Sequence, residues 1–305
     1  MMNKLLTPKA DTEKTNEQTS KVLGSMIGVY QPDPPQSPLI FTFPHSGRNY
    51  PLQLLEQTSL SLIDLRRSED AFVDLLFPNT ALPEASFITA KFPRVWVDVN
   101  RHPKDLDPEM FEQEVRITNN RPSKNLTAGF GVIPKLVAPG LPVYSQKLAM
   151  AEALKRLDCT HTPYHQAIEQ AIAKVKPVFG FVIIVDCHSM PSSSVANTPD
   201  GIADIVLGDR YESSCDPKIT DIMQELFYEN SLKVAKNQPY AGGYSLLRHG
   251  RPMDNVHSIQ IEISRNLYMD EENLQKTSGF IDLQLKLEKF MKQLDVYAMT
   301  YCSTM

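Results

Sequence analysis

Strands alternating with helices along the chain predict one α/β domain around a mostly parallel or mixed sheet. Three observations carry this. The apolar run "VFGFVIIVD" (178–186) reads as a buried strand. Segments with helical apolar spacing flank it on both sides, at 145–176, 215–231 and 271–297. The chain has 305 residues, 42% hydrophobic and 22% charged, which is enough for a full core and ordinary for a globular protein.

Taken in order, residues 1–25 are polar and read as a flexible N-terminal tail, followed by a single catalytic domain over 26–305. "PLIFTFPHSG" (38–47) predicts a short buried strand that stops at Pro44. "LIDLRRSEDAFVDLLF" (62–77) has helical spacing, with Ser68 and Glu69 suited to a helix start near Asp70. "SFITAKF" (86–92) and "VWVDVN" (95–100) read as strands. Residues 102–142 are rich in Pro, Gly and Asn without periodicity, and so long a loop is usually functional. The stretch 145–176 predicts helix, broken near Pro163. "ADIVLGD" (203–209), "KVAKN" (233–237) and "HSIQIEIS" (257–264) read as strands. Asp216 or Pro217 opens the helix over 215–231, and the helix over 271–297 closes the domain.

Composition excludes several function classes. A net charge of −5 gives no sign of a nucleic-acid partner, and no apolar run approaches the length that spans a membrane. There is no signal-peptide pattern. The four cysteines (159, 187, 215, 302) contain no CxxC pair and read as reduced thiols of a cytoplasmic protein. The oligomeric state is not legible.

In an α/β sheet, ligands sit at the carboxyl ends of strands. Four predicted strands end in polar groups: His45, the pair Asn100-Arg101, His188, and Glu262 with Arg265. Two histidines and a carboxylate can hold a catalytic zinc, and a second carboxylate can take a proton from water. Arginines match substrate carboxylates bidentately. No compact zinc signature such as HExxH is present, and a lone histidine at a strand end is commonly structural. Asp186 shares a strand face with His188, so it reads either as the acceptor for a histidine ring N–H or as a cap for the turn that follows. Glu262 lies on the polar face of an apolar strand, as a base or as an ion-pair partner of an arginine such as Arg265. Arg101 pairs with Asp98, binds ligand, or does both. Gly242-Gly243 permits a turn or a close backbone approach to ligand. His249 reads as a group polarising a carbonyl or as a surface histidine, and Tyr164-His165 as core. Cys187 alternates away from its neighbours, which argues against a nucleophile.

The ordered set "FPHSGRNYP", "RRSEDAFVDLLF", "FPRVWVDVNR", "PYHQAI", "VDCHSMPS", "VLGDR", "PYAGGY" and "QIEISRNLYMDE" resembles the N-formylglutamate amidohydrolase family over about residues 38–295. The resemblance implies a three-layer α/β/α domain similar to zinc carboxypeptidases. It also implies hydrolysis of N-formyl-L-glutamate to formate and glutamate, the last step of one route of histidine degradation. On that basis the ligands of one Zn²⁺ are His45, His188 and Asp70, the last chosen over Glu69. Many relatives carry Asp-Trp-His there, and the histidine of that stretch is Phe72 here. The implied catalytic residues are Glu262, as general base, and Arg101. The implied substrate-binding residues are Arg101, Arg94, Arg248, Asn100, Gly242 and Gly243. The expected partner is a small N-acyl amino acid. The alternatives are a metallo-hydrolase of another N-acyl amino acid or small peptide, and a non-catalytic binding protein on the same scaffold.

Overall fold

The computed structural model describes residues 26–112, 123–195 and 202–302. The predicted tail therefore lies outside the described residues, as do 113–122 of the long loop. Seven strands form one mixed sheet: β1 (Ile27–Tyr30), β2 (Leu39–Phe43), β3 (Ser86–Ala90), β4 (Val182–Met190), β5 (Ile205–Gly208), β6 (Val234–Lys236) and β7 (Val256–Ser264). Their order is β1-β3-β2-β4-β7-β5-β6. The inner strands β3, β2, β4 and β7 are parallel, so their carboxyl ends open on one edge. β1 pairs antiparallel with β3, and β5 antiparallel with β7. The two longest strands, β4 and β7, are buried along their whole length, as expected for parallel strands covered on both faces.

Helices α1 (Leu62–Arg66), α2 (Val73–Leu76), α3 (Met150–Arg156), α4 (Thr162–Phe179), α5 (Pro217–Glu229), α6 (Tyr244–His249) and α7 (Gly279–Cys302) pack around the sheet. Asp216 caps α5 by accepting the N–H of Lys218, with Pro217 in its first turn. Phe77, just past α2, meets Phe41 and Phe43 of β2. Phe227 of α5 stacks on Phe290 of α7 at 4.0 Å and 11°. Each such fully buried side chain contributes roughly 1.5–3 kcal/mol relative to exposure. Most of the core is one cluster from Leu39 to Ala298, and a smaller one gathers Met190, Val195, Ala203, Val206 and Ala235.

Four expectations are corrected. The helix over 62–77 is two short helices, because Phe72 takes a left-handed conformation (φ 65°). Residues 95–100 are a chain of turns: Trp96 N–H donates to Pro93, Asp98 N–H to Val132, and Arg101 N–H to Asp98. The helix over 145–176 is not broken at Pro163. A π-helical turn, Leu157–His161, joins α3 to α4, and Pro163 falls in the first turn of α4, where a missing N–H is tolerated. The closing helix starts at Gly279, after a small hairpin pairing Met269–Asp270 with Gln275–Lys276. Strand β1 was not anticipated.

Candidate active site

β2 ends at Phe43, and His45 follows Pro44, where the strand can no longer pair. Gly47 is required close by, since a Cβ there would collide with the backbone of residues 90–92. The His45 carbonyl accepts the N–H of Asp70, and Ser46 Oγ donates to the Asp70 carbonyl. The break between α1 and α2 is thus tied to the end of β2. In β4 and β7, His188 stands in register with Glu262, and Asp186 with Gln260. Those four side chains share one sheet face, while Cys187 and Ile261 take the other.

His45 Nδ1, His188 Nδ1 and Asp70 Oδ2 converge on one another. The separations are 3.1 Å between the histidines, 3.2 Å from His45 to Asp70 and 3.0 Å from His188 to Asp70. The opposite ring nitrogens face carboxylates: His45 Nε2 is 2.8 Å from Asp98, and His188 Nε2 is 3.0 Å from Asp186. With a cation bound, those contacts would keep the ring protons on Nε2 and direct both Nδ1 lone pairs at the same point as the Asp70 oxygen; without one, a protonated ring donates from Nδ1 to Asp70. Three buried acceptors meeting at a point suit a cation, and the outer carboxylates complete the usual second layer of a histidine metal site. The donor set fits a divalent ion such as zinc.

Asp186 also accepts from Thr42 Oγ, 2.6 Å away, so it is a ring acceptor and not a turn cap. Glu69 points elsewhere, to the Tyr50 hydroxyl and the Arg66 guanidinium, which leaves Asp70 to face the histidines. Arg265 does not pair with Glu262. It donates to Asp70 Oδ1, to the Glu69 carbonyl and to Ser189, fixing Asp70 so that Oδ2 faces the rings.

The electrostatics follow from burial and pairing. Burial alone would raise the Asp70 carboxyl, but hydrogen bonds with His188 and His45 outweigh it and hold it well below the usual range. Burial disfavours charge on His188, yet Asp186, Asp70 and Glu262 raise its pKa well above the ordinary value. Burial raises Glu262 to about 7, with Asp70 adding to the effect and His188, Arg94 and Arg265 opposing it. Gln260 Nε2 donates to Glu262 Oε1 at 2.7 Å, which leaves the other carboxylate oxygen free of that bond.

These groups line a cavity of about 820 Å³ at the carboxyl edge of the sheet. His45, Asp70, Arg94, Asn100, Arg101, His188, Gly242, Gly243 and Glu262 all reach it; Arg248 does not. Arg248 is exposed on α6 and donates to the Tyr244 hydroxyl, so the expected substrate contact is not brought to the cavity. His249 is neither a surface group nor a cavity group; it is buried against His165 and Glu169. Arg94 is held by Asp98 at 2.7 Å. Arg101 lies 4.0 Å from Asp98, beyond hydrogen-bond reach, and donates to the carbonyls of Phe130 and Asn100. Its guanidinium lines the cavity while keeping a long ion pair with Asp98. Asn100 accepts the N–H of Ser245, and a Cβ on Gly243 would collide with its amide.

Sequence reasoning missed Asp98 as the partner of His45, Arg265 as the holder of Asp70, and Arg67 as a fourth cavity arginine. Only the Asp-x-His alternation of 186–188 signalled any of the outer layer.

The sequence and the fold have counterparts among known proteins. A family model for N-formylglutamate amidohydrolase matches residues 37–269. The N-formylglutamate deformylase of Pseudomonas aeruginosa is 28% identical over 77% of this chain and 83% of its own length. That of Pseudomonas putida is 26% identical over 77% and 82%. The crystal structure of N-formylglutamate amidohydrolase from Ralstonia eutropha JMP134 superposes with a TM-score of 0.79 at 32% identity, covering 91% of this chain and 97% of that one. The chain belongs to the N-formylglutamate amidohydrolase family.

Proposed function

We propose that this protein is a metal-dependent amidohydrolase that cleaves N-formyl-L-glutamate to formate and glutamate. The observation that carries the reading is the convergence of three buried acceptors beside a carboxylate whose pKa stands at about 7. His45, Asp70 and His188 would hold the ion, for which zinc fits the donors. The chemistry such an ion supplies when bound is activation of water and polarisation of a carbonyl.

The rest falls to the chain's own residues. Glu262 takes a proton from the attacking water and passes it to the leaving nitrogen as the C–N bond breaks. A pKa near neutrality suits both halves of that task. Gln260 keeps Glu262 in place. Arg101 binds a substrate carboxylate through its planar guanidinium, and Arg94 adds positive charge to the same wall. Gly242 and Gly243 bring backbone to the cavity edge.

A second reading is favoured by the cavity's apolar wall of Phe130, Leu136, Val137, Ala138 and Pro139. It is hydrolysis of an N-acyl amino acid with a larger apolar group. Formate release from N-formyl-L-glutamate, run beside a panel of longer acyl chains and with metal content measured, separates the two. No turnover of any panel member by metal-loaded protein would overturn both. The Glu262→Gln protein should retain metal and substrate binding while kcat falls by roughly 10²–10⁴. Loss of metal in that variant would make Glu262 a ligand instead.

A further inference from the structure

We propose that His161 and His165, one turn apart at the start of α4, are positioning residues for the substrate arginine Arg101. The proposal rests on the reading of Arg101 given above, and its argument begins from the backbone of 98–101. That segment has no strand neighbour, yet residues 98–100 are buried and Arg101 is half-buried, so its carbonyls need partners from elsewhere. The Asp98 carbonyl accepts from Arg101 N–H. The Asn100 carbonyl accepts from Tyr244 N–H and from the Arg101 guanidinium. The remaining two are taken by histidines: Val99 O lies 2.9 Å from His165 Nε2, and Arg101 O lies 3.0 Å from His161 Nε2.

A carbonyl cannot donate, so both rings carry a proton on Nε2. Burial lowers His161 to about 4 and His165 well below its ordinary value, so each ring is neutral near neutral pH with that single proton. His165 Nδ1 is then an acceptor, and His249 Nε2 sits 2.8 Å from it as the donor. His249 Nδ1 faces the Glu169 carboxylate at 3.0 Å, so the two contacts together call for a proton on each of its ring nitrogens, which burial opposes and Glu169 favours. Tyr244 closes the cluster, its ring 5.7 Å from that of His161 and 5.3 Å from that of His165. None of the three histidines lines the cavity, so none touches substrate. Their hydrogen bonds end on the two residues whose backbone sets where the Arg101 side chain starts. The i, i+4 spacing puts both rings on one face of α4. The π-helical turn just before it ends at His161.

The test pairs substitutions that differ in reach. Gln carries an amide N–H near the position of Nε2, Asn falls short of it, and Leu has no donor. Each would be made at 161 and at 165 in the metal-loaded protein. Amide hydrogen exchange over 96–101 and steady-state kinetics with N-formyl-L-glutamate would be measured, with and without Arg101→Lys. The Leu and Asn proteins should exchange faster over 96–101 and raise KM at least fivefold. Their metal content and kcat should stay within twofold of the parent. The Gln proteins should return towards the parent on both readouts. In the Arg101→Lys background, the Leu and Asn substitutions should add little to KM. Unchanged exchange in the Leu and Asn proteins overturns the inference whatever the substrate. So does an unchanged KM where Arg101→Lys alone raises it, or an equal loss in the Gln and Asn proteins. If Arg101→Lys itself leaves KM unaltered, the reading of Arg101 fails while the exchange data still decide the pinning.

Discussion

Each proposed ligand depends on a neighbour that never meets the cation. Asp186 accepts from both His188 and Thr42, and it is fully buried. Asp186→Asn keeps the shape but removes the charge that orients the ring and makes it more basic. The affinity for zinc should fall by roughly 10–100-fold, the usual effect of losing such a partner. Competition against a chromophoric chelator measures it, and an affinity equal to the parent's would leave Asp186 a packing residue. The His188→Ala protein should lose nearly all bound metal and keep its fold, because the core around Phe41, Phe227 and Phe290 does not pass through the site. Full occupancy by elemental analysis would remove His188 from the ligand set. These residues were partly legible in the sequence. His45, His188 and Glu262 stand where apolar strand patterns end or turn polar, a local signal. Asp98 and Arg265 were not legible as partners of the site, since their roles depend on chain segments 53 and 195 residues away.

Elements were legible where one face or both are apolar, and illegible where side chains replace the ladder. Strands β4 and β7 were read within a few residues because burial on both faces demands unbroken apolar stretches. The turns at 95–100 mimic a strand, since Val95, Val97 and Val99 alternate with Trp96, Asp98 and Asn100. Their backbone partners come from Val132, from α4 and from the start of α6. The long helix over 62–77 failed for a related reason: Arg265 and His45 draw the backbone of Glu69 and Asp70 out of helical pairing. The junction of α6 with 98–101 gives a prediction at this scale. Gly243→Ala would drive its methyl group into the Asn100 amide, which also holds Ser245. Overpacking of this kind costs about 1–3 kcal/mol. Thermal unfolding should show that loss, and KM should rise as Asn100 and Arg101 shift. A Tm unchanged from the parent would mean that the junction yields freely.

For the molecule as a whole, the buried charges of the site couple folding to pH, and a cation held by the proposed ligands would couple folding to metal as well. In metal-free protein, His188 has a folded pKa raised above 6.5, so its contribution is complete below 6.5 and fades as pH rises through the folded value. Glu262 is raised from 4.5 to about 7, so the folded site keeps a proton that the unfolded chain has already released. That contribution, too, is lost as pH rises from about 4.5 to about 7. Asp70 and Asp98 run the other way: their folded values are depressed, so what they add is present above 3.8 and disappears in stronger acid. Metal-free protein should therefore be most stable in mild acid and weaken towards pH 8. A metal held between the histidines would invert the alkaline limb, because ligation would require a neutral His188 and reward its deprotonation. The gap in Tm between zinc-loaded and chelator-treated protein should widen steadily from pH 5.5 to pH 8. In the double variant His188→Ala, Glu262→Gln the gap should close and most of the alkaline decline should vanish. Calorimetry across that range checks both. A gap that does not vary with pH, or metal-free protein that gains stability from pH 6 to pH 8, would mean that these buried groups do not govern the response. The cation would then have to bind somewhere other than between the two histidines.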